Sequence, residues 1–231
     1  EFIARYAELC DPAAIFVRTD AAGDAAYIRT TAVGNGEETA LGIPGHTIHF
    51  DGYNDLARDV KNTKFLLTPD MNLGSQLNST DRAEGLAEIA GLMEKSMAGR
   101  EMYVLFLCLG PVGSDFSIYA VQLTDSAYVV HSEDILYRPA YEAFRSAGAS
   151  LHFFKYVHSA GELDERKTSR RMDKKRVYVD FLDSIVYSVN TQYAGNTVGL
   201  KKLSLRLAIR KAWREKWLAE HMFIMRVGSR D

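Results

Sequence analysis

The densest run of chemistry-bearing residues is Tyr193-Ala194-Gly195-Asn196-Thr197, followed by Lys201-Lys202 and, 19 positions after Lys202, by His221. Gly195 lets the backbone approach a ligand closely. Asn196 or Thr197 can cap a helix beginning here, and the free N–H groups of a helix start attract anions. Lys202, in the first turns of that helix, adds a cation. The pattern suits a small carboxylate or phosphate. The same letters also fit an ordinary turn followed by a solvated lysine pair. In one unbroken helix Lys202 and His221 would stand about 28 Å apart. Sharing a ligand therefore requires the helix to end near Arg214 and the chain to return across about 20 Å.

The elements that must position these residues are readable in outline. Residues 3–10 read as a short helix, Ile15-Phe16-Val17 as a strand, residues 20–24 as a turn and residues 25–34 as a second helix. His46 and His49 fall three apart in a loop, a spacing that could pair on a metal but lacks an acidic partner. Lys64–Leu67 reads as a strand. Asp81 to Gly99 is the clearest helix, with a capping box at Asp81 and Glu84, apolar Leu86, Ile89, Ala90 and Met93, and Gly99 as its stop. Glu101–Leu109 and Phe116–Leu123 read as strands, and Tyr128-Val129-Val130 as a third. Pro139–Ala147 looks helical and Leu151–Val157 extended. Val177–Phe181 and Ile185–Val189 form a hairpin turning at Leu182-Asp183-Ser184, and it delivers the chain to Tyr193. Beyond the turn, Lys202, Arg206 and Arg210 share one helix face, and Leu205, Ile209, Ala212 and Trp213 another. The whole predicts an α/β (α+β-like) fold, a mixed sheet flanked by helices.

Composition narrows the class. With 47% hydrophobic and 25% charged residues the chain reads as globular. A formal net charge of −2 leaves no overall electrostatic footprint for nucleic acid. The basic run Arg166, Lys167, Arg170, Arg171, Lys174, Lys175 and Arg176 is interleaved with Asp164, Glu165 and Asp173 and reads as a solvated loop. The two cysteines, Cys10 and Cys108, are too few for a disulfide framework or a cysteine-based zinc site, and a reducing compartment is the expectation. No apolar run reaches the roughly 18 residues of a membrane helix, and Glu1-Phe2-Ile3 does not open as a secretion leader. Glu1-Phe2 reads as vector-derived. There is no Walker-type phosphate loop.

Several stretches, taken together, resemble the N-terminal part of GTP-dependent phosphoenolpyruvate carboxykinase. They are Ala57-Arg58 before the Lys64–Leu67 strand; Met102-Tyr103-Val104 through Gly110-Pro111-x-Gly113-Ser114; Leu123-Thr124-Asp125-Ser126-x-Tyr128-Val129-Val130; Tyr193-x-Gly195-Asn196-Thr197 with Lys201-Lys202; and Trp217-Leu218-Ala219-Glu220-His221-Met222. Their order and spacing agree over roughly residues 50–225. The early Pro44–Phe50 loop is similar to that of the shorter members.

The resemblance implies a fold like that family's N-terminal domain over residues 3–225, with 226–231 as a frayed or vector-derived tail. It implies conversion of oxaloacetate and GTP to phosphoenolpyruvate, carbon dioxide and GDP, in gluconeogenesis and in the cytoplasm, with Mn²⁺. By motif, Arg58 would bind the substrate's carboxylate or phosphate. Tyr193, Ala194 and Gly195 would hold the carboxylate, and Lys202 and His221 would be metal ligands. Lys201 stays an alternative to Lys202, because the family's helix is one residue longer between its Lys pair and the Arg matching Arg206. A lysine ligand must be neutral, and deprotonating one at pH 7 costs about 4–5 kcal/mol; a dication, a helix start and a second lysine all lower that cost. Ala194 stands where many members carry Gly. The family's nucleotide loop, reactive Cys, third metal ligand and guanine pocket follow the region matched here, and Cys108 is not that Cys. The expectation is a substrate-side domain that meets GTP and GDP through a C-terminal domain, inactive alone, with no nucleic-acid or membrane partner. Two rival expectations are a stand-alone carboxylate-binding module using Arg58, Tyr193 and the helix start, and a nucleic-acid binder using Arg166–Arg176 and the basic helix face.

Overall fold

The computed structural model describes residues 1–50, 61–115, 117–148, 151–192, 213–216, 218–220 and 223–225. In chain order the elements are α1 (Phe2–Cys10), β1 (Ala14–Arg18), α2 (Ala22–Gly34), β2 (Thr39–Ala40), β3 (Thr47–Ile48), β4 (Thr63–Leu67), β5 (Ser79–Asp81), α3 (Arg82–Met93), β6 (Glu101–Leu109), β7 (Ile118–Thr124), α4 (Ala127–Leu136), β8 (Arg138–Pro139), α5 (Tyr141–Ala147), β9 (Phe153–Ser159), β10 (Arg176–Asp180), β11 (Ile185–Val189), β12 (Leu218–Glu220) and β13 (Phe223–Met225). Nine strands make one mixed sheet in the order β1-β6-β7-β9-β11-β10-β4-β5, with β8 pairing beside β6. The α/β expectation is met.

β6 shows why the sheet carries helices on both faces. Side chains alternate across a strand. Tyr103, Leu105 and Leu107 join a core with Ile28 and Ala32 of α2 and Val129 and Val130 of α4. Met102 and Val104 join the opposite core, with Tyr6 and Cys10 of α1 and Ile89 and Met93 of α3. A strand buried on both faces must be apolar at nearly every position, and β6 is.

Two elements differ from the sequence-based expectation. Tyr128-Val129-Val130 is helical, not extended. Ser126 caps α4 by accepting from Val129 N at 3.2 Å, and the Glu37 carboxylate accepts from Ser126 Oγ at 2.5 Å and Tyr128 N at 3.0 Å. These caps outweigh the strand preference of two valines. The other helix, α3, stops at Met93 rather than at Gly99. Lys95 turns left-handed at φ 53°. Its N–H then reaches the Leu9 carbonyl at 2.8 Å, and Met97 N reaches the Cys10 carbonyl at 3.0 Å. The end of α1 would otherwise leave these acceptors bare. The expected cap of α3 is present, with Asp81 Oδ1 accepting from Ala83 N at 2.8 Å and Glu84 N at 3.1 Å. The expected hairpin is β10–β11, antiparallel with Tyr178 opposite Tyr187.

Strand direction creates one special rim. β7, β9 and β11 are mutually parallel, β6 is antiparallel to β7, and β10 is antiparallel to β11 and parallel to β4. The C-terminal ends of β7, β9 and β11 therefore share a rim with the starts of β6, β10 and β4. Just beyond β9, Gly161 has φ +68°, and a Cβ there would collide with the Asn190 amide oxygen. Asn190 cannot easily yield, because its Nδ2 donates to the Lys174 carbonyl at 3.1 Å. Gly161→Ala is expected to lower stability by about 1–3 kcal/mol, read from urea unfolding. An unchanged midpoint would refute this account of the rim.

Candidate functional site

The residues singled out by sequence, Arg58, Tyr193, Ala194, Gly195, Lys201, Lys202 and His221, lie outside the described residues, as does the tail 226–231. What the structure describes is the rim to which two of these segments are joined. Gln192, the residue before the turn, is buried there. Asn62, four residues after Arg58, is there too, its carbonyl accepting from Val177 N at 2.9 Å. β4 and β11 are separated only by β10, so their rim ends stand about 10 Å apart.

The rim is braced by polar side chains that water scarcely reaches. Asp125 follows β7. Its carboxylate accepts from Ser159 Oγ at 2.7 Å and from Ala160 N at 2.9 Å, and it pairs with Arg100 at 2.7 Å. Thr124 Oγ1 meets His158 Nδ1 at 2.7 Å, and His158 Nε2 meets the Thr191 carbonyl at 2.9 Å. Gln192 Nε2 donates to the Lys167 carbonyl. Beside these groups opens a cleft of about 530 Å³, lined among others by Tyr27, Glu37, Arg100, Asp125, Lys167 and Gln192. Charged side chains and aromatic rings both line it.

A second layer of contacts holds the 35–50 segment against α4. Glu37 caps α4 as described. The neighbouring Glu38 is buried and accepts from His131 Nδ1 at 2.8 Å. Burial pushes the Glu38 carboxyl up. The hydrogen bonds from His131 and Thr47 and the charge of the nearby imidazoles more than reverse this and hold it below the ordinary carboxylate value. His49 stacks on Tyr128 with ring centroids 3.7 Å apart, and its Nδ1 lies 2.5 Å from the Glu37 carbonyl. His46 Nδ1 lies 3.3 Å from the Pro44 carbonyl. The two histidines are thus occupied separately, and among the described residues no group of three His, Cys, Asp or Glu side chains could hold a metal.

Other sequence candidates are also placed. Cys10 and Cys108 are both buried free thiols. Burial pushes the Cys10 thiol up to about 11 and raises Cys108 as well. The burial of Cys108 is as its apolar run implied. In the basic run, Arg170 pairs with Glu162 and Arg176 with Glu88, while Lys175 is buried. No helix among the described residues is long and apolar enough to cross a membrane. The bracing residues Glu37, Asp125 and His158 were not singled out as functional by sequence. For Asp125 the available signals were its place directly after an apolar strand, where parallel sheets place their sites, and its membership of the Leu123–Val130 stretch.

Comparison with known proteins is consistent along the chain. The family described as phosphoenolpyruvate carboxykinase N-terminal domain matches residues 1–213. The phosphoenolpyruvate carboxykinase (GTP) of Pyrococcus horikoshii is 55% identical over 229 residues, covering 99% of this chain and 37% of the relative. That of Thermococcus kodakarensis is 56% identical over 229 residues, with the same coverage of both. The Chlamydia caviae protein of the same name is 36% identical over 181 residues, covering 76% of this chain and 30% of the relative. The chain thus spans a little over a third of the length of the archaeal relatives it matches.

The Glu38–His131 contact makes a pH signature. Its folded carboxyl titrates below the unfolded one, so the stability it adds is complete above the unfolded value near 4.3 and is lost as pH falls through the folded value. Glu38→Gln should cost about 1–2 kcal/mol at pH 7, with the deficit shrinking below about pH 4. Urea unfolding from pH 3 to 7 measures it, and a deficit that stays constant with pH would sink the assignment.

Proposed function

The chain belongs to the phosphoenolpyruvate carboxykinase N-terminal domain family, and from that membership we propose that it forms the substrate side of an enzyme converting oxaloacetate and GTP to phosphoenolpyruvate, carbon dioxide and GDP. Residues 3–225 act as one domain in this reading, and 226–231 as a tail. The nucleotide side belongs to the remaining length that the relatives carry. The setting is the cytoplasm, and neither nucleic acid nor a membrane takes part.

The observation that carries the proposal is the shared rim. Gln192 and Asn62 belong to it, and each is joined by a few covalent links to a residue of the assigned pocket. Tyr193 follows Gln192 directly, and Arg58 is four residues before Asn62, a reach of about 14 Å at most. Two strand spacings separate the anchors, so Arg58 and the turn can meet on one substrate without distorting the sheet.

The roles follow from charge and geometry. The Arg58 guanidinium offers a fork that matches a carboxylate or phosphate. The Tyr193-Ala194-Gly195 turn offers backbone N–H donors, with Gly195 permitting close approach. Lys202 and His221 would hold the Mn²⁺ ion, with Lys201 as the alternative lysine. An amine and an imidazole are nitrogen donors, which a borderline divalent ion accepts alongside oxygen ligands. When bound, the ion supplies positive charge that offsets repulsion between carboxylate and phosphoryl oxygens. The lysine must give up its proton to bind, and the adjacent lysine favours that by like-charge repulsion.

Oxalate and phosphoenolpyruvate titrations, with and without Mn²⁺, test this on the full gene product that contains the chain. Arg58→Ala should weaken both ligands by about 10- to 100-fold. Lys202→Met should remove the Mn²⁺ dependence, while Lys201→Met should leave it. Unchanged binding in Arg58→Ala would defeat the site. Metal-independent tight binding without turnover would favour a stand-alone carboxylate-binding module. The 231-residue chain by itself should not turn over oxaloacetate with GTP and Mn²⁺, and robust turnover would contradict the division of labour.

A further inference from the structure

We propose that His158 is a positioning residue for the carboxylate turn, fixing the chain two residues before Tyr193 through a hydrogen bond whose direction the surrounding groups dictate. This rests on the reading that Tyr193 to Gly195 hold the substrate carboxylate.

The direction follows from donor counting. A carbonyl can only accept, so the 2.9 Å contact between His158 Nε2 and the Thr191 carbonyl requires a proton on Nε2. On the other side, the Ser126 N–H donates to Thr124 Oγ1 at 3.2 Å. In a neutral ring with its proton on Nε2, Nδ1 is bare, so the Thr124 hydroxyl, which accepts from that amide through a lone pair, gives its own proton to Nδ1 at 2.7 Å. Nδ1 is then the acceptor and the ring is the neutral Nε2–H tautomer. His158, Thr124 and Thr191 are all 0% exposed, so water does not compete for either bond. The relay runs from the end of β7, through the end of β9, to the chain leaving β11, and so crosses three parallel strands.

The rest of the 190–192 segment is pinned in the same way. Asn190 is left-handed at φ 57°. Its N–H donates to the Ser159 carbonyl at 3.0 Å. The Gln192 side chain donates to the Lys167 carbonyl. Without the His158 bond, the Thr191 carbonyl would lose a buried donor two residues before Tyr193. The cost falls on ligand affinity, because donors aimed at a carboxylate lose strength steeply with misalignment.

Three variants of the full gene product test this, with phosphoenolpyruvate as the probe. His158→Gln can keep an N–H near the Nε2 position, His158→Leu keeps bulk without a donor, and Thr124→Val removes the hydroxyl that donates to Nδ1. At pH 7, His158→Leu should weaken phosphoenolpyruvate about tenfold, with His158→Gln recovering most of it and Thr124→Val in between. Long-range imidazole ¹H–¹⁵N spectra of the unsubstituted protein should show His158 as Nε2–H. A residue that only supports the fold would lower the unfolding midpoint in all three variants without this order of affinities. A folded His158→Leu or Thr124→Val that binds like the unsubstituted protein, or an Nδ1–H tautomer, overturns the proposal; if Arg58→Ala still loses binding, the pocket itself stands. Should His158→Leu fail to fold, Thr124→Val and the tautomer still decide. No binding by the unsubstituted protein removes the pocket and this relay together.

Discussion

The buried carboxylate of Asp125 is the constraint on which the rim depends. Its side chain is 0% exposed, against 28% for its partner Arg100. Burying such a charge is costly unless it is paired and hydrogen-bonded, and here Arg100 pairs with it while Ser159 Oγ and Ala160 N donate to it. The value of the arrangement is therefore geometric more than energetic. An uncompensated carboxylate is so unfavourable that the ends of β7 and β9, and the chain entering β6, have one permitted arrangement. Arg100 also donates to the Ser96 carbonyl, in the bent segment that caps α1. The brace thus reaches from the rim into the helical layer.

Much of the fold was legible because its signals are local. Period-two alternation marked the β10–β11 hairpin, and the capping box marked the start of α3. The two misjudged elements show where local reading stops. Tyr128-Val129-Val130 became helical because Glu37, 91 positions from Tyr128, caps α4. α3 ended at Met93 because the carbonyls of α1 needed donors, not because a glycine lay ahead. Both outcomes drew on a distant element, the Glu37 carboxylate for α4 and the α1 carbonyls for the turn after α3, and a short window of sequence does not contain those contacts.

The site divides along the same line. Glycine, aromatic and lysine letters in a fixed order are visible as a motif, and so Tyr193–Gly195 and the Lys pair were candidates, though they lie outside the described residues. The groups that brace the rim could not. His158 and Asp125 are single polar letters at strand ends, and their importance lies in partners 33 and 35 positions away. Nothing in the spacing of a lone histidine separates a relay from a residue at rest in a core.

Charge accounting explains how a scaffold that is near neutral overall can serve anionic ligands. Three arginines on or near the rim are already committed: Arg100 to Asp125, Arg176 to Glu88 and Arg170 to Glu162. Pairing within the scaffold removes their field from the ligand, since paired charges cancel beyond a few ångströms in water and salt. In the proposed function the cation that would meet the substrate's anionic group is instead Arg58, on a segment joined to the rim through Asn62. An enzyme gains from this separation. Charges that brace the fold must stay put whether or not substrate is bound, whereas charges that meet substrate must be left without an internal partner until it arrives. Placing the first kind inside the sheet's rim and the second kind on the connections beyond it lets each be optimised without weakening the other.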